Sequence, residues 1–406
     1  IVRENDEALD RLSAIADAFL THNRDIEVVC DDSVIRTFEG REMPLRRSRG
    51  YAPMPVNLPH AVESILAVGA ELKATFCVTK GHFAYLSQHI GDMGTLETQR
   101  AFERALDHML RLFRVDPHKV VCDLHPGYRS SQWAGNYARE RQLPLQKVQH
   151  HHAHVAALIA ESGLALETPI IGVAFDGTGY GTDGAIWGGE VLITQGRQFD
   201  RFLHLRYVPL AGGDATIKYP IRSALSHLYA AGLRHDLGLD PVLHRQIERN
   251  INCVPSSSMG RLFDAVAALI GLRRQVSYEG QAAIELESIS TSSTRGYPAD
   301  IRDGVFDPAP LLAAILEDLK SGIPREEIAA AFHTAVAAWI VKASRLAREQ
   351  TGLNLVGLTG GVFQNVTLLR EAAAKLREDN FEVLVHRKVP ANDGGLALGQ
   401  AALYCL

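Results

Sequence analysis

An α/β fold built from two similar halves is predicted for this chain, and three observations predict it. Through the C-terminal third, short apolar runs alternate with helical patterns. That order implies parallel strands joined by right-handed crossovers. An order of strand, polar turn, strand, strand and then helices begins near residue 62 and begins again at 169. The two copies share little sequence, so the repeat is one of architecture. Finally, 406 residues at 46% hydrophobic content suffice for sizeable cores.

Taken in order, residues 5–24 carry Leu9, Leu12, Ile15, Ala16 and Phe19 at helical spacing, which predicts an amphipathic helix. A strand is expected at 26–30. A basic, turn-rich segment follows at 46–53, then a proline-spaced linker at 53–59. Three short strands are expected at 64–69, 74–79 and 83–87, a helix at 96–113 and a buried strand at 120–123. The second copy opens with a strand at 169–175 and a glycine-rich turn at 176–184. Strands at 185–194 and 202–208 follow. The C-terminal part reads as a helix at 325–350, a strand at 353–358, a helix at 367–378, a strand at 381–386 and a small-residue helix at 395–404.

Composition excludes several classes. Mean hydropathy is −0.03, and no run of about 18 uncharged apolar residues occurs, so no membrane span is expected. A net charge of −5 argues against a generally basic nucleic-acid coat. Five scattered cysteines without a C-x-x-C pair point to a reducing, cytoplasmic setting and exclude a thiolate zinc site. The N-terminus lacks both a signal peptide's apolar core and an initiator Met. The expectation is therefore a piece of a longer polypeptide.

The sharpest chemical feature is Gln149-His150-His151-His152-Ala153-His154. On a helix, His150 and His154 stand at i and i+4, so both imidazoles leave one face and suit a single metal ion. The alternative is a hydrogen-bonded histidine run. The thermolysin-type H-E-x-x-H is absent, because no general-base Glu stands in it. Asp393, before the last helix and flanked by Gly394 and Gly395, is the candidate third ligand, with a helix N-cap as its alternative. Two His and one carboxylate suit iron(II) or zinc with open positions for substrate.

Other candidates are glycine-rich. The turn Asp176-Gly177-Thr178-Gly179-Tyr180-Gly181 reads as an anion nest or as a hairpin loop. It is neither a P-loop nor a Rossmann turn. Thr359-Gly360-Gly361-Val362-Phe363-Gln364-Asn365 joins a buried strand to a helix. It reads as a nucleotide-admitting turn or as an ordinary strand-to-helix turn with Asn365 near the cap. Asp264 lies in an apolar, Ala-rich helix, where it needs a ligand, a cation or an Arg unless it faces solvent. Tyr278-Glu279-Gly280-Gln281 is a second glycine-bearing turn. No G-x-S-x-G elbow is present, so a serine hydrolase is not supported.

As an ordered set these motifs resemble the carbamoyltransferase superfamily. It includes the tRNA threonylcarbamoyladenosine transferases, the antibiotic and nodulation O-carbamoyltransferases, and the HypF carbamoyltransferases of [NiFe]-hydrogenase maturation. The wording is most similar to the HypF family at His150–His154, Asp123-Leu124-His125-Pro126-Gly127-Tyr128 and Tyr278–Ala282. The resemblance covers about residues 60–406. Residues 20–26, 31–34 and 46–51 also resemble the end of a YrdC-like domain, which precedes the transferase domain in HypF proteins.

The resemblance implies a duplicated actin-like ATPase fold (ASKHA, RNase H-like) behind the tail of a YrdC-like α/β domain. The implied division is 1–58 for that tail and linker, 59–168 for the first half of the transferase domain and 169–406 for the second. His150, His154 and Asp393 are implied as the catalytic metal ligands. Asp176, Gly177, Thr178 and Gly179 are implied at the phosphate or carbamoyl region, and Asp264, Gly280, Gly360, Gly361 and Asn365 around the nucleotide. The family loop often carries Ser-Gly-Gly where this chain has Asp176-Gly177-Thr178, which leaves the role of Asp176 open.

The implied reaction makes carbamoyl adenylate from carbamoyl phosphate and ATP. It then passes the carbamoyl group to the C-terminal cysteine of a HypE-like acceptor for cyanide-ligand synthesis. The implied cofactors are ATP, an iron or zinc ion, and magnesium with the nucleotide; no nucleic-acid or membrane partner is implied. Rival readings are O-carbamoylation of a small hydroxylated molecule and a non-catalytic actin-like nucleotide-binding module.

Overall fold

The computed structural model describes residues 2–213, 215–291 and 295–405. Two mixed sheets organise it. The first has five strands in the order Val56–Val62, Cys77–Leu86, Ile65–Ala67, Lys119–Asp123, Leu145–Val148. The spine of the larger sheet contains Gln198–Leu205, Ile186–Gln195, Ile170–Tyr180, Leu355–Thr359 and Glu382–Val385 in that order. In both, the first two neighbour pairs are antiparallel and the last two are parallel. The five-position pattern is the same, which makes this a duplicated actin-like arrangement.

One strand position is filled differently in the two copies. In the larger sheet the outermost of the five, Gln198–Leu205, follows its neighbour in sequence. In the smaller sheet the equivalent position is taken by Val56–Val62, which comes before the others. The segment expected as a linker at 53–59 is thus mostly strand, with Val56 and Leu58 buried. The strands expected at 74–79 and 83–87 are one continuous strand, Cys77–Leu86. Exposed Lys80, Gly81 and His82 interrupt its apolar pattern and made one strand read as two.

Helix Leu96–Phe113 forms where expected. Thr95 caps it by accepting from Thr98 N, and Phe102, Leu106 and Met109 bury its apolar face. The expected helix at 5–24 is only Asn5–Leu12, with no buried residue. Ile15 and Leu20 beyond it are 81% and 101% exposed, so the amphipathic stripe meets no partner here. Residues 26–30 form no strand. Instead, Val34–Phe38 and Arg41–Arg46 pair as an antiparallel hairpin. Arg36 ties that hairpin to Glu287, and Glu39 to Arg377 and Arg387.

Behind the larger sheet the helix Arg325–Thr351 buries Phe332, Val336, Trp339 and Ala343. Helix Leu396–Tyr404 packs against helix His150–Glu161 so closely that a Cβ on Gly399 would lie 1.8 Å from the Ala153 carbonyl oxygen. That contact brings the loop before Leu396, and Asp393 with it, onto the start of the histidine helix. No helix among the described residues is long and apolar enough to cross a membrane.

Candidate metal centre and nucleotide wall

Helix His150–Glu161 begins where strand Leu145–Val148 ends, and the Gln149 side chain caps it by accepting from His152 N at 2.9 Å. The cap fixes the first turn, so His150 and His154 stand one above the other with ring centroids 4.9 Å apart. Both are buried. Asp176 comes from the other sheet, where the pairing of Ile170–Tyr180 with its neighbour shifts register between Phe175 and Gly179. Asp393 opens the 3-10 turn Asp393–Gly395, which Asn392 caps by accepting from Gly394 N.

These four residues converge. His150 Nε2 lies 3.2 Å from Asp176 Oδ2 and 3.4 Å from Asp393 Oδ1. His154 Nε2 lies 3.3 and 3.5 Å from the same two atoms. All four donor atoms fall within 4.8 Å of one another. Donor atoms at about 2.1 Å from one ion lie about 3.0–3.4 Å from their neighbours, so these histidine–carboxylate separations suit a zinc- or iron-sized ion. His154 Nε2 is buried and has no hydrogen-bond partner among the described residues, as an unfilled ligand atom would be.

Electrostatics agree with the geometry. Burial alone would discharge His150, but Asp393 and Asp123 outweigh it and hold the imidazole well above its usual range. His154 is raised against the same opposition by Asp176 and Asp393. Burial works against the Asp176 carboxylate too, yet the two histidines keep it well below the usual range. Asp393 is lowered in the same way by His150 and His154. A metal ion would take the place of the protons that these groups share.

The histidine run divides by environment. His151 is pushed well down by burial and by neighbouring His150, so it stays neutral. His152 points away, donates to the Gly196 carbonyl at 3.2 Å and is lowered to about 4 by burial. Gly179 serves this packing: a Cβ there would lie 2.5 Å from His151 Cε1 and 2.7 Å from His150 Cδ2. The expected loop at 176–184 is therefore mostly strand, running to Tyr180, with Gly179 clearing room for the two imidazoles.

The residues expected around a nucleotide line a different wall. Gly360 has φ +96°, and a Cβ on it would sit 2.2 Å from the Phe175 carbonyl oxygen. Gly361 N donates to Asp176 Oδ1 at 3.0 Å. Asn365 caps helix Val366–Glu378 by accepting from Leu368 N, and its amide donates to His333 Nε2 at 2.8 Å. Asp264 pairs with Arg261 at 2.8 Å, both buried. Burial raises the Asp264 carboxyl and Arg261 only partly offsets it. Gly280, at φ +75°, starts helix Gln281–Ile289. Glu287 of that helix accepts from Val366 N, which joins it to the Gly360–Asn365 turn.

Sequence analysis left the role of Asp176 open, and its Oδ2 faces both histidines; one further residue beside the site escaped the sequence reading. Asp123, buried at the end of strand Lys119–Asp123, accepts from His150 Nδ1 at 2.7 Å. A carboxylate ending an apolar strand was the available signal for it. Beside Asp393 lies a cavity of about 290 Å³ lined by Arg46, Arg47, Lys73, Thr75, Asn392 and Gly394, among others. Arg47 is buried, is lowered to about 10 by that burial, and donates to the carbonyls of Met54 and Leu86.

Family comparisons identify the lineage. The family model described as "Carbamoyltransferase, Kae1-like Domain, second subdomain" matches residues 172–400, and the "HypF Kae1-like domain" model matches 60–161. This chain belongs to the HypF carbamoyltransferase family. A HypF homolog of Cupriavidus necator is 36% identical over 86% of this chain and 92% of its own length. Carbamoyltransferase HypF2 of the same organism is 38% identical over 98% of this chain but only 54% of its own. A full-length HypF crystal structure in a phosphate- and nucleotide-bound form superposes with a TM-score of 0.93 at 45% identity, covering 99% of this chain and 65% of that one. The chain thus spans about half the length of several curated HypF relatives it matches.

Proposed function

We propose that this chain carries the carbamoyl-transfer half of a HypF reaction in the cytoplasm. It would take carbamoyl adenylate and pass the carbamoyl group to the C-terminal cysteine of a HypE-like acceptor, for cyanide-ligand synthesis. The observation that carries the reading is the convergence of His150, His154, Asp176 and Asp393 beside a cavity edged with cations. An adenylate is anionic, and Arg46, Arg47 and Lys73 supply the opposite charge next to the four donors. No nucleic-acid partner enters the reading.

When bound, an iron or zinc ion held by the four donors supplies Lewis acidity toward a carbamoyl or phosphate oxygen. The chain's own residues would do the rest. The Gly360–Asn365 turn, Asp264 and Gly280 would form the adenosine wall, with magnesium accompanying the phosphates. The relative's nucleotide-bound state supports a nucleotide in this fold. In the transfer step the acceptor thiolate forms a C–S bond to the carbamoyl carbon. The C–O bond to the phosphate breaks, and AMP leaves with the electron pair. None of this chain's cysteines has a place in the step, and burial raises Cys77, Cys122 and Cys405 out of the thiolate range. Residues 1–58 would be the tail of the YrdC-like domain, and 59–168 and 169–406 the two halves of the transferase domain.

The test supplies the chain and a HypE-like acceptor with one of two mixtures. One contains ATP and carbamoyl phosphate; the other contains carbamoyl adenylate. Thiocarbamate is expected only from the second, because activation needs a cleft of its own. Equal product from both would place activation in this chain. Carbamoylation of small alcohols with none of the cysteine tail would move the reading to an O-carbamoyltransferase.

A further inference from the structure

The motif Asp123-Leu124-His125-Pro126-Gly127-Tyr128 has no part in the reading above, yet its first residue touches the metal centre. Asp123 is fully buried at the end of its strand. Its Oδ2 accepts from His150 Nδ1 at 2.7 Å, and its Oδ1 accepts from His125 N at 2.8 Å. Both carboxylate oxygens therefore act as acceptors toward fixed N–H groups. His125 then turns the chain by accepting from Gly127 N at 3.0 Å and stacks on Tyr128 with centroids 4.0 Å apart. The loop packs against the site, because the edge of His125 also meets Tyr180, 5.1 Å away.

We infer that Asp123 is a positioning residue that holds His150 in the one tautomer able to bind metal. The inference rests on the metal reading above. An imidazole binds metal through a bare nitrogen, so Nε2 is available only when the ring proton sits on Nδ1. Asp123 accepts that proton and fixes the ring plane, as carboxylates behind metal-binding histidines do. An amide cannot replace it. Asn has one accepting oxygen where Asp uses two. If Asn keeps the His125 N bond, its NH₂ faces His150 Nδ1 and selects the Nε2–H tautomer, which cannot bind metal.

The experiment compares metal-free wild type, Asp123→Asn and Asp123→Ala by competition for zinc against a chromogenic chelator. Both variants are expected to bind zinc about 10–100-fold more weakly. Unchanged affinity in Asp123→Asn overturns the inference alone. A wild type that takes up no zinc overturns the metal reading and this inference together. Should the variants fail to fold, metal-free wild-type protein labelled with ¹⁵N-histidine, observed at a pH where His150 is neutral, still decides by NMR. His150 is expected to carry its proton on Nδ1, and a proton on Nε2 overturns the inference. A purely structural role for Asp123 would leave that tautomer signal unconstrained.

Discussion

The candidate metal centre and the proposed nucleotide wall sit side by side, and they treat buried polar groups differently. In the centre, two imidazoles and two carboxylates face one another, and His154 Nε2 is left without a hydrogen bond. In the wall the carboxylate, the amide and the imidazole are already spent, although Arg261 Nε is also buried without a partner among the described residues. Asp264 answers Arg261, and Asn365 answers both Leu368 N and His333. A cluster with an open donor asks for a ligand, whereas a saturated one shapes a surface. Gly360 and Gly361 let the turn close on Phe175 and Asp176, where a Cβ would clash. The two regions meet at Asp176, whose Oδ1 holds Gly361 N and Gly177 N while Oδ2 faces the histidines.

The largest effect expected from this contrast is loss of metal in His154→Ala. Elemental analysis of freshly purified protein should fall from near one ion per chain to near none, with the fold kept. Full occupancy would move the metal elsewhere. The charge balance adds a pH signature. His150 and His154 are raised in the metal-free protein, so their contribution to its stability is fully present below the ordinary histidine range. It is lost as pH rises through the shifted values. Metal uptake displaces those protons and strengthens with pH. The gap between loaded and metal-free thermal midpoints should therefore widen from pH 6 to pH 8, and a gap that narrows would contradict the shared-proton picture.

Next in size is Asp264→Ala, which attacks the wall. It leaves Arg261 charged, buried and unpaired, so about 3–5 kcal/mol of stability should be lost in chemical denaturation. Metal content at low temperature should stay normal. A variant of ordinary stability that no longer binds ATP would show that Asp264 faces nucleotide rather than Arg261.

Gly361→Val tests the junction. A Cβ at 361 would lie 2.7 Å from Asp176 Oδ1, so the substitution reaches the carboxylate that faces both histidines. Zinc affinity and ATP affinity should both fall, zinc by about 10-fold, as expected when a partner that orients a metal ligand is disturbed. A loss of ATP binding with zinc unaffected would separate the two regions.

What was legible in the sequence follows the range of the interactions. Helix Leu96–Phe113 was readable because its cap and apolar stripe are local. His150 and His154 were readable because i and i+4 is also local. Asp393 was a candidate from its flanking glycines but read equally as a helix cap, since its approach depends on helix Leu396–Tyr404 packing at Gly399. Asp123 and Asp176 stand 27 and 26 residues from His150, and no periodicity links such distances. The segment at 5–24 shows the reverse error. Its apolar spacing is real, but without a surface to cover it stays mostly unwound.

The smallest effect concerns a link across the cleft. Lys73, beside the first sheet, reaches Glu279, just before helix Gln281–Ile289, at 2.6 Å. The side chains are 27% and 51% exposed. Burial pulls the Lys73 ammonium down, but Glu279 and then Asp393 outweigh it and keep it raised. A half-exposed pair of this kind contributes about 0.2–1 kcal/mol, so Glu279→Gln should scarcely move the thermal midpoint. Its consequence should instead be electrostatic. Lys73 lines the cavity beside Asp393, and removing its partner adds a positive charge that a phosphate can meet. AMP affinity at low salt should rise by about 2–3-fold, and the gain should shrink at high salt as screening sets in. Lys73→Met should lower AMP affinity under the same conditions. If Glu279→Gln weakened AMP binding instead, the ion pair would be holding the two sides of the site in register.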